Sequence, residues 1–177
     1  EIGVRLVGSE MCIRDRIYFV TGNHELTSLA ATQYQELLAL FQKYGITDLD
    51  NDSVKLKKGG QSITLYGRQY FSQYLTDSLP IASDKDFDIL LYHGSDNFKE
   101  IAPYHYDLIL SGHAHGGIVR LPILGGIFGN DGTFFPEYAG GEYTIGDATL
   151  ISSRGLGDAS IPRFNNPPEL VVIKLNP

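Results

Sequence analysis

Apolar and polar residues are spaced along this chain in ways that switch repeatedly between strand and helix periods. "IYFVTG" (17–22) is a short β-branched and aromatic run closed by glycine, which predicts a buried strand. From Thr27 to Tyr44 the spacing changes. Tyr34, Leu37, Leu38 and Phe41 recur at i, i+3, i+4 and i+7, predicting an amphipathic helix, and Gly45 stands where a helix turns off. "VKLKKGGQSITLYG" (54–67) predicts a hairpin turning at Gly59-Gly60. Residues 70–80 follow neither period. "FDILLYHG" (87–94) is a continuous apolar run and predicts a parallel strand covered on both faces. "NFKEIAPYHY" predicts a short helix or loop. "DLILSGHAHGG" (107–117) repeats the strand-then-histidine pattern, and "IVRLP" (118–122) predicts a further strand. The Gly- and Phe-rich stretch 123–142 reads as a long loop, "EYTIGDATLISSRG" (142–155) as a hairpin turning at Gly146-Asp147, and "ELVVIKL" (169–175) as an alternating, closing strand. The mix predicts a layered α/β or α+β domain built around a sheet.

Composition narrows the function classes. The 177 residues are 42% hydrophobic and 20% charged, enough for one domain with its own core. The net charge of −7 argues against general nucleic-acid binding, since an acidic surface repels a phosphate backbone. A small phosphorylated substrate is compatible with that charge if metal ions supply local positive charge. Cys12 is the only cysteine, so neither an internal disulfide nor a cysteine-based zinc knuckle can form. No run reaches the ~18 apolar residues of a membrane helix. Residues 1–16, "EIGVRLVGSEMCIRDR", hold the only Met and the only Cys and end in an unpatterned charge cluster. "VGSEMCIRDR" resembles the translated adapter read-through found at the ends of metagenomic gene fragments. The expected organisation is therefore a foreign leader at 1–16 followed by one domain over 17–177. Any native targeting segment or membrane anchor would then lie upstream, which leaves the localisation open.

The chemistry gathers at strand ends. "IYFVTG" delivers Asn23-His24, "DILLY" delivers His93, and "LILS" delivers His113 and His115, so four of the five histidines fall at the carboxyl ends of three predicted strands. Ligands collect there in open α/β sheets. Neutral imidazole suits Mn, Fe, Zn, Ni or Co, and Asn23 adds a hard, neutral oxygen. Gly112, Gly116 and Gly117 would permit positive φ and close backbone approach. A cupin would place a glutamate soon after the His-x-His, and a metallo-β-lactamase-type site would place an aspartate. "GGIVRLP" offers neither.

"GNHE" (22–25), "LLYHGSD" (90–96) and "GHAHGG" (112–117), in that order, resemble the calcineurin-like metallophosphoesterase family. "GGIVRLP", "SSRGLG" (152–157) and "PPELVVIKL" (167–175) resemble its bacterial YkuE-like branch. The resemblance covers residues 17–177. It implies a β-sandwich flanked by helices, missing its first strands, and two divalent ions (Mn, Fe or Zn) with a bridging hydroxide. By position it implies Asn23, His93 and His113 as ligands of one metal and His115 as a ligand of the other. His24 becomes the general acid or transition-state stabiliser at the phosphate, and Glu25 a helix-start residue. Arg120 and Arg154 are candidates for contact with phosphate or a substrate head group. Asp96 is a candidate to steady the His93 loop, and His105 lies outside the motif set.

The family's Asp-x-His and Gly-Asp motifs have no match here. Asp15 lies only eight residues before Asn23, too close to be the bridging carboxylate, and it belongs to the leader. Ile118 stands where the branch carries Gln, and Gly94-Ser95 where a Pro is common. The expected function is hydrolysis of a phosphodiester, phosphomonoester or pyrophosphate bond, lipid- or nucleotide-linked, with this fragment inactive. The alternative is a catalytically dead domain of the same fold that serves as a scaffold. A lone structural metal site is a third reading.

Overall fold

A computed structural model describes residues 16–70, 75, 79–83, 85–129, 132–157 and 162–176. The leader, Arg16 apart, lies outside the described residues, as does much of the aperiodic stretch 70–80.

The chain begins with β1 (Ile17–Phe19), the short helix α1 (Asn23–Thr27), the longer helix α2 (Ala31–Lys43) and β2 (Ile46–Asp48). The hairpin β3 (Ser53–Lys58) and β4 (Gln61–Arg68) follows, then β5 (Phe87–Gly94), α3 (Phe98–Ile101) with a 3₁₀ turn (Ala102–Tyr104), and β6 (Leu108–Gly112). The last strands are β7 (Val119–Leu121), β8 (Gly125–Phe128), β9 (Gly141–Ile145) and β10 (Ala148–Ser152). Six of them form one mixed sheet in the order β3-β4-β5-β6-β10-β9. Its four middle strands run parallel, with antiparallel β3 and β9 at the edges. The fold is mixed α/β.

The run "FDILLYHG" is apolar throughout because β5 is covered on both faces. Leu90 and Tyr92 enter one cluster with Phe98, Ile101, Tyr106, Ile109 and Leu150. Ile89 enters the other, with Leu49, Leu65 and Leu108. The hairpin turns where the glycines predict. Gly59 and Gly60 both take positive φ (56° and 82°), the requirement of a type I′ turn.

Three expectations are corrected. The predicted helix 27–44 starts later: α1 ends at Thr27, and α2 begins after Ala30, whose N–H donates to the Gln33 side chain (2.9 Å). In α2 the predicted stripe Tyr34, Leu37, Leu38, Phe41 is half-buried, Phe41 resting on Phe19 with ring centroids 4.5 Å apart. The stretch read as a loop, 123–142, contains β8, paired antiparallel with β7. Its strand signal is masked by Gly125-Gly126, and Gly126 is there because an added Cβ would sit 2.9 Å from the Gly116 carbonyl oxygen. Residues 169–175 form no strand. Their alternating apolar side chains find no ladder partner among the described residues, and Leu170 (77%) and Val172 (87%) stand exposed.

The first strand also differs in its neighbours. β1 pairs in parallel with β2 in a separate two-stranded sheet. That pair packs over the second face of the large sheet through Tyr18, Val20 and Leu49. The segment after β2 ties the two sheets together. Leu49 N–H donates to the Phe19 carbonyl (2.9 Å) and Gly67 N–H to the Asp52 carbonyl (2.9 Å). Asp50 Oδ1 accepts from Thr21 N–H (2.8 Å), two residues before Asn23. This segment fixes where α1 begins.

Candidate metal centre

β5 and β6 are parallel neighbours, so residues just past their ends lie side by side. Their register slips between Leu91 and Gly94, which turns His93 out at the strand end. The His93 and His113 rings meet edge to face, centroids 5.1 Å apart. The first helical residue of α1 completes the group: Asn23 Oδ1 lies 3.1 Å from His93 Nε2. Glu25 anchors that helix start, its Oε2 accepting from Gly22 N–H (2.9 Å). A Cβ at Gly22 would lie 3.0 Å from His93 Nε2 and 3.1 Å from Glu25 Oε2, so a larger residue would press on the His93 ring.

The loop carrying His113 and His115 is wound left-handed. His113 (φ 66°), His115 (50°), Gly116 (75°) and Gly117 (66°) all have positive φ, with Gly117 N–H donating to the Ala114 carbonyl (2.8 Å). Non-glycine residues held this way cost of order 1–3 kcal/mol each and cluster at functional sites. Surrounding contacts enforce the turn. Asn166, buried, donates through Nδ2 to the His115 carbonyl (2.6 Å). At Gly116 a Cβ would meet Arg154 Cγ and Asn166 Oδ1, both at 2.6 Å. Gly112 is a correction: an added Cβ there has nothing nearer than 4.0 Å, and its φ is not positive.

The four candidate ligands are brought together unequally. Asn23, His93 and His113 converge. His115 turns toward Arg163 instead, whose Nη2 lies 3.4 Å from Nδ1. His24, exposed on α1, lies with Nδ1 3.4 Å from Ser28 Oγ. Arg154 is held by Glu169 (Nη2 to Oε1, 2.9 Å), and Arg120 donates to the Gly116 carbonyl (2.5 Å), so both guanidinium groups brace the loops around the site. Asp96 is exposed beside the His93 loop, while its buried neighbour Asn97 accepts from Tyr92 OH (3.2 Å) and donates to Glu100 (2.8 Å). His105 ends the 3₁₀ turn with φ 63°.

Sequence patterns did not reveal Tyr70, Arg163 or Asn166. Tyr70 packs its ring against both His93 (5.5 Å) and His113 (5.1 Å) and places its hydroxyl 3.5 Å from His113 Nε2. It falls in the stretch with no period. Arg163 and Asn166 flank "FN", where only the nearness of "SSRGLG" in the chain hints at the site. A cavity of ≈ 390 Å³ opens beside His113, lined also by Ser95, Asp96, Phe134, Phe135 and Tyr138.

Asn23 and His93 fit a shared cation. Two donors each about 2.1 Å from one ion in a tetrahedral site lie about 3.4 Å apart, close to the 3.1 Å between this pair. A cation would take the place of the hydrogen between them, with His113 as the third donor. Among the described residues no three His, Cys, Asp or Glu side chains are grouped to hold an ion, so Asn23 is essential to that trio. His115 faces a guanidinium, and among the described residues it belongs to no group of His, Cys, Asp or Glu donors that could hold an ion.

Burial, then the neighbouring imidazoles of His113, His115 and His24, push His93 down to about 4, which keeps it uncharged and suited to a metal. Burial and Arg163 also lower His115. An unfolded imidazole titrates at about 6.5. Between there and about 4 the unfolded chain takes up a proton that folded His93 refuses, so stability is lost as pH falls through that window. The melting temperature should drop from pH 7 to 4.5, and drop less in His93→Asn. Equal slopes in the two proteins would count against this assignment.

The family model described as calcineurin-like phosphoesterase matches residues 4–117. The chain is 38% identical over 94 residues to the uncharacterized metallophosphoesterase YkuE of Bacillus subtilis (52% of this chain, 32% of the relative). It is 25% identical over 155 residues to the phosphodiesterase YaeI of Escherichia coli (87% and 56%). It is 30% identical over 95 residues to the UDP-2,3-diacylglucosamine pyrophosphatase LpxG of Chlamydia trachomatis (49% and 28%). The chain thus spans between about a quarter and three fifths of these relatives' lengths. No solved structure matches it.

Proposed function

This chain belongs to the calcineurin-like phosphoesterase family, and from that premise we propose that the complete protein hydrolyses a phosphate ester or pyrophosphate bond with the help of two divalent ions. The observation that carries the reading is the convergence of Asn23, His93 and His113 from three elements far apart in the chain. These three would hold one ion, and His115 would contribute to a second. When bound, such ions supply Lewis acidity and an activated water at neutral pH. The chain's own residues supply the rest. His24 donates a proton to the leaving oxygen or stabilises its charge; Ser28 engages Nδ1, leaving Nε2 to face the phosphoryl group. Tyr70 and the left-handed loop fix the imidazoles so that they need not reorganise when substrate arrives. A phosphodiester, a monoester and a pyrophosphate all suit this chemistry.

Among the described residues no carboxylate is grouped with the imidazoles, which favours a second reading, a scaffold domain without activity. One experiment separates them. The coding sequence is extended upstream, and the protein is titrated with Mn, Fe or Zn and assayed on a chromogenic phosphodiester. Metal-dependent turnover by the extended protein, absent from the 177-residue chain, is expected. An extended protein that binds no metal and turns nothing over would establish the scaffold.

A further inference from the structure

Beyond β6 the chain builds a small lobe that the catalytic reading does not use. The Phe164 segment bridges β7 and β8 pairs with β7. Residues 133–135 run beside β8, with Phe135 N–H donating to the Ile127 carbonyl (2.8 Å) and the Phe128 and Phe134 rings 5.3 Å apart. This lobe exposes Leu121, Ile123, Leu124, Phe134, Phe135 and Phe164, with Ile123 fully in solvent at 105%. A single exposed apolar side chain is ordinary; six on one lobe mark an interaction surface. Two are held outward against backbone preference, Ile123 at φ 71° and Phe135 at φ 54°. For a β-branched residue that conformation is a strained one. Charge sets the hairpin of this lobe apart as well, although the exposed Glu137 follows Phe134 and Phe135. "VRLPILGGIFG" (119–129) carries no carboxylate and only Arg120 as a charge, in a chain of net −7. The surface is continuous with the site, since Phe134, Phe135 and Pro136 line the cavity that also holds His113.

We infer that this lobe docks on a lipid surface, its hairpin tip seated at the boundary of head groups and acyl chains, and that the ester hydrolysed is one presented at that surface. The substrate half of this rests on the hydrolase reading; the docking half does not. An apolar tip on a hairpin free of carboxylates, in a chain of net charge −7, can approach anionic head groups that would repel the acidic remainder of the surface. A water-soluble ester has no use for apolar side chains left outside the cavity.

The chain contains no tryptophan, so Leu124→Trp gives a single reporter at the tip and Tyr44→Trp one at an exposed position on the far end of α2. Vesicles of phosphatidylcholine and phosphatidylglycerol should blue-shift the emission of the first and not of the second. The double variant I123S/L124S should weaken vesicle partitioning about tenfold or more. In the extended protein it should leave hydrolysis of a soluble chromogenic diester unchanged. Absence of a shift at position 124, or equal shifts at both positions, overturns the docking. So does a concentration-dependent dimer that the double variant dissolves, without vesicle binding. Vesicle binding by a protein that hydrolyses no diester would sustain the docking and remove the hydrolase reading; diester hydrolysis without vesicle binding would do the reverse.

Discussion

Replacing Gly67 by alanine should lower stability by at least about 3 kcal/mol, a fall in melting temperature of roughly 6–12 °C for a chain of this size. Gly67 lies in β4, inside the large sheet, and the segment after β2 crosses it at close range. A Cβ there would sit 2.1 Å from the Leu49 carbonyl oxygen and 2.9 Å from Leu49 Cβ. Neither is the loose end of a side chain: Leu49 is 2% exposed and packs in the second cluster. The strand has nowhere to retreat either, since β4 is bonded to β3 on one side and β5 on the other. The segment 49–52 must therefore lift, and it carries the hydrogen bonds to Phe19 and Thr21 that set the start of α1. Asn23 should move with it, so the variant should lose metal-induced stabilisation as well as fold stability. Gly112→Ala is the control. It too is a strand glycine, but its added methyl has nothing closer than 4.0 Å, and the change should be neutral or stabilise by up to about 1 kcal/mol through the unfolded chain. Circular-dichroism melts of the two variants decide the point; equal melting temperatures would sink it.

How far such features could be read in advance depends on how local their causes are. β3, β4, β5 and β6 were legible because period and turn chemistry both lie within the strand or its neighbouring residues, as with Gly59-Gly60. Gly67 was not legible as a crossing point, because the atom it avoids belongs to Leu49, eighteen residues earlier. β8 was hidden for the same reason: Gly126 answers to Gly116 ten residues earlier, while Gly125 is a positive-φ residue leaving the turn. The alternation at 169–175 signals a strand, yet a strand exists only with a partner, and a partner is not encoded in its own residues. The site divides in the same way. Asn23, His93, His113 and His115 announced themselves as motifs at strand ends. Tyr70, Arg163 and Asn166 act on those histidines from segments without period, and only the three-dimensional neighbourhood reveals them. What spacing could not say at all is that the two histidines of "GHAHGG" face different surroundings.

That difference yields the sharpest expectation for the site itself. His113 shares its space with His93 and Tyr70, near Asn23, whereas His115 faces the Arg163 guanidinium 3.4 Å away. A cation is favoured by the first environment and repelled by the second. In the 177-residue chain a divalent ion at 100 times its dissociation constant should add about 2.7 kcal/mol, raising the melting temperature by roughly 5–11 °C. His113→Ala removes one of three neutral donors. Its effect should exceed the 10–100-fold loss typical of groups that merely orient a ligand. A hundredfold loss leaves the ion at its dissociation constant, worth about 0.4 kcal/mol and a shift of no more than ~2 °C. His115→Ala should retain nearly the whole metal-induced shift, because among the described residues His115 joins no group of donors that could hold an ion and faces the Arg163 guanidinium. In an extended protein whose upstream segment supplies carboxylates beside His115, the asymmetry should close, and loss of His115 should then abolish turnover as His113→Ala does. Thermal shifts with Mn or Zn on both variants, in the short and the extended protein, measure this directly. Equal loss of the shift from either variant in the short chain would mean that the two rings already serve one ion.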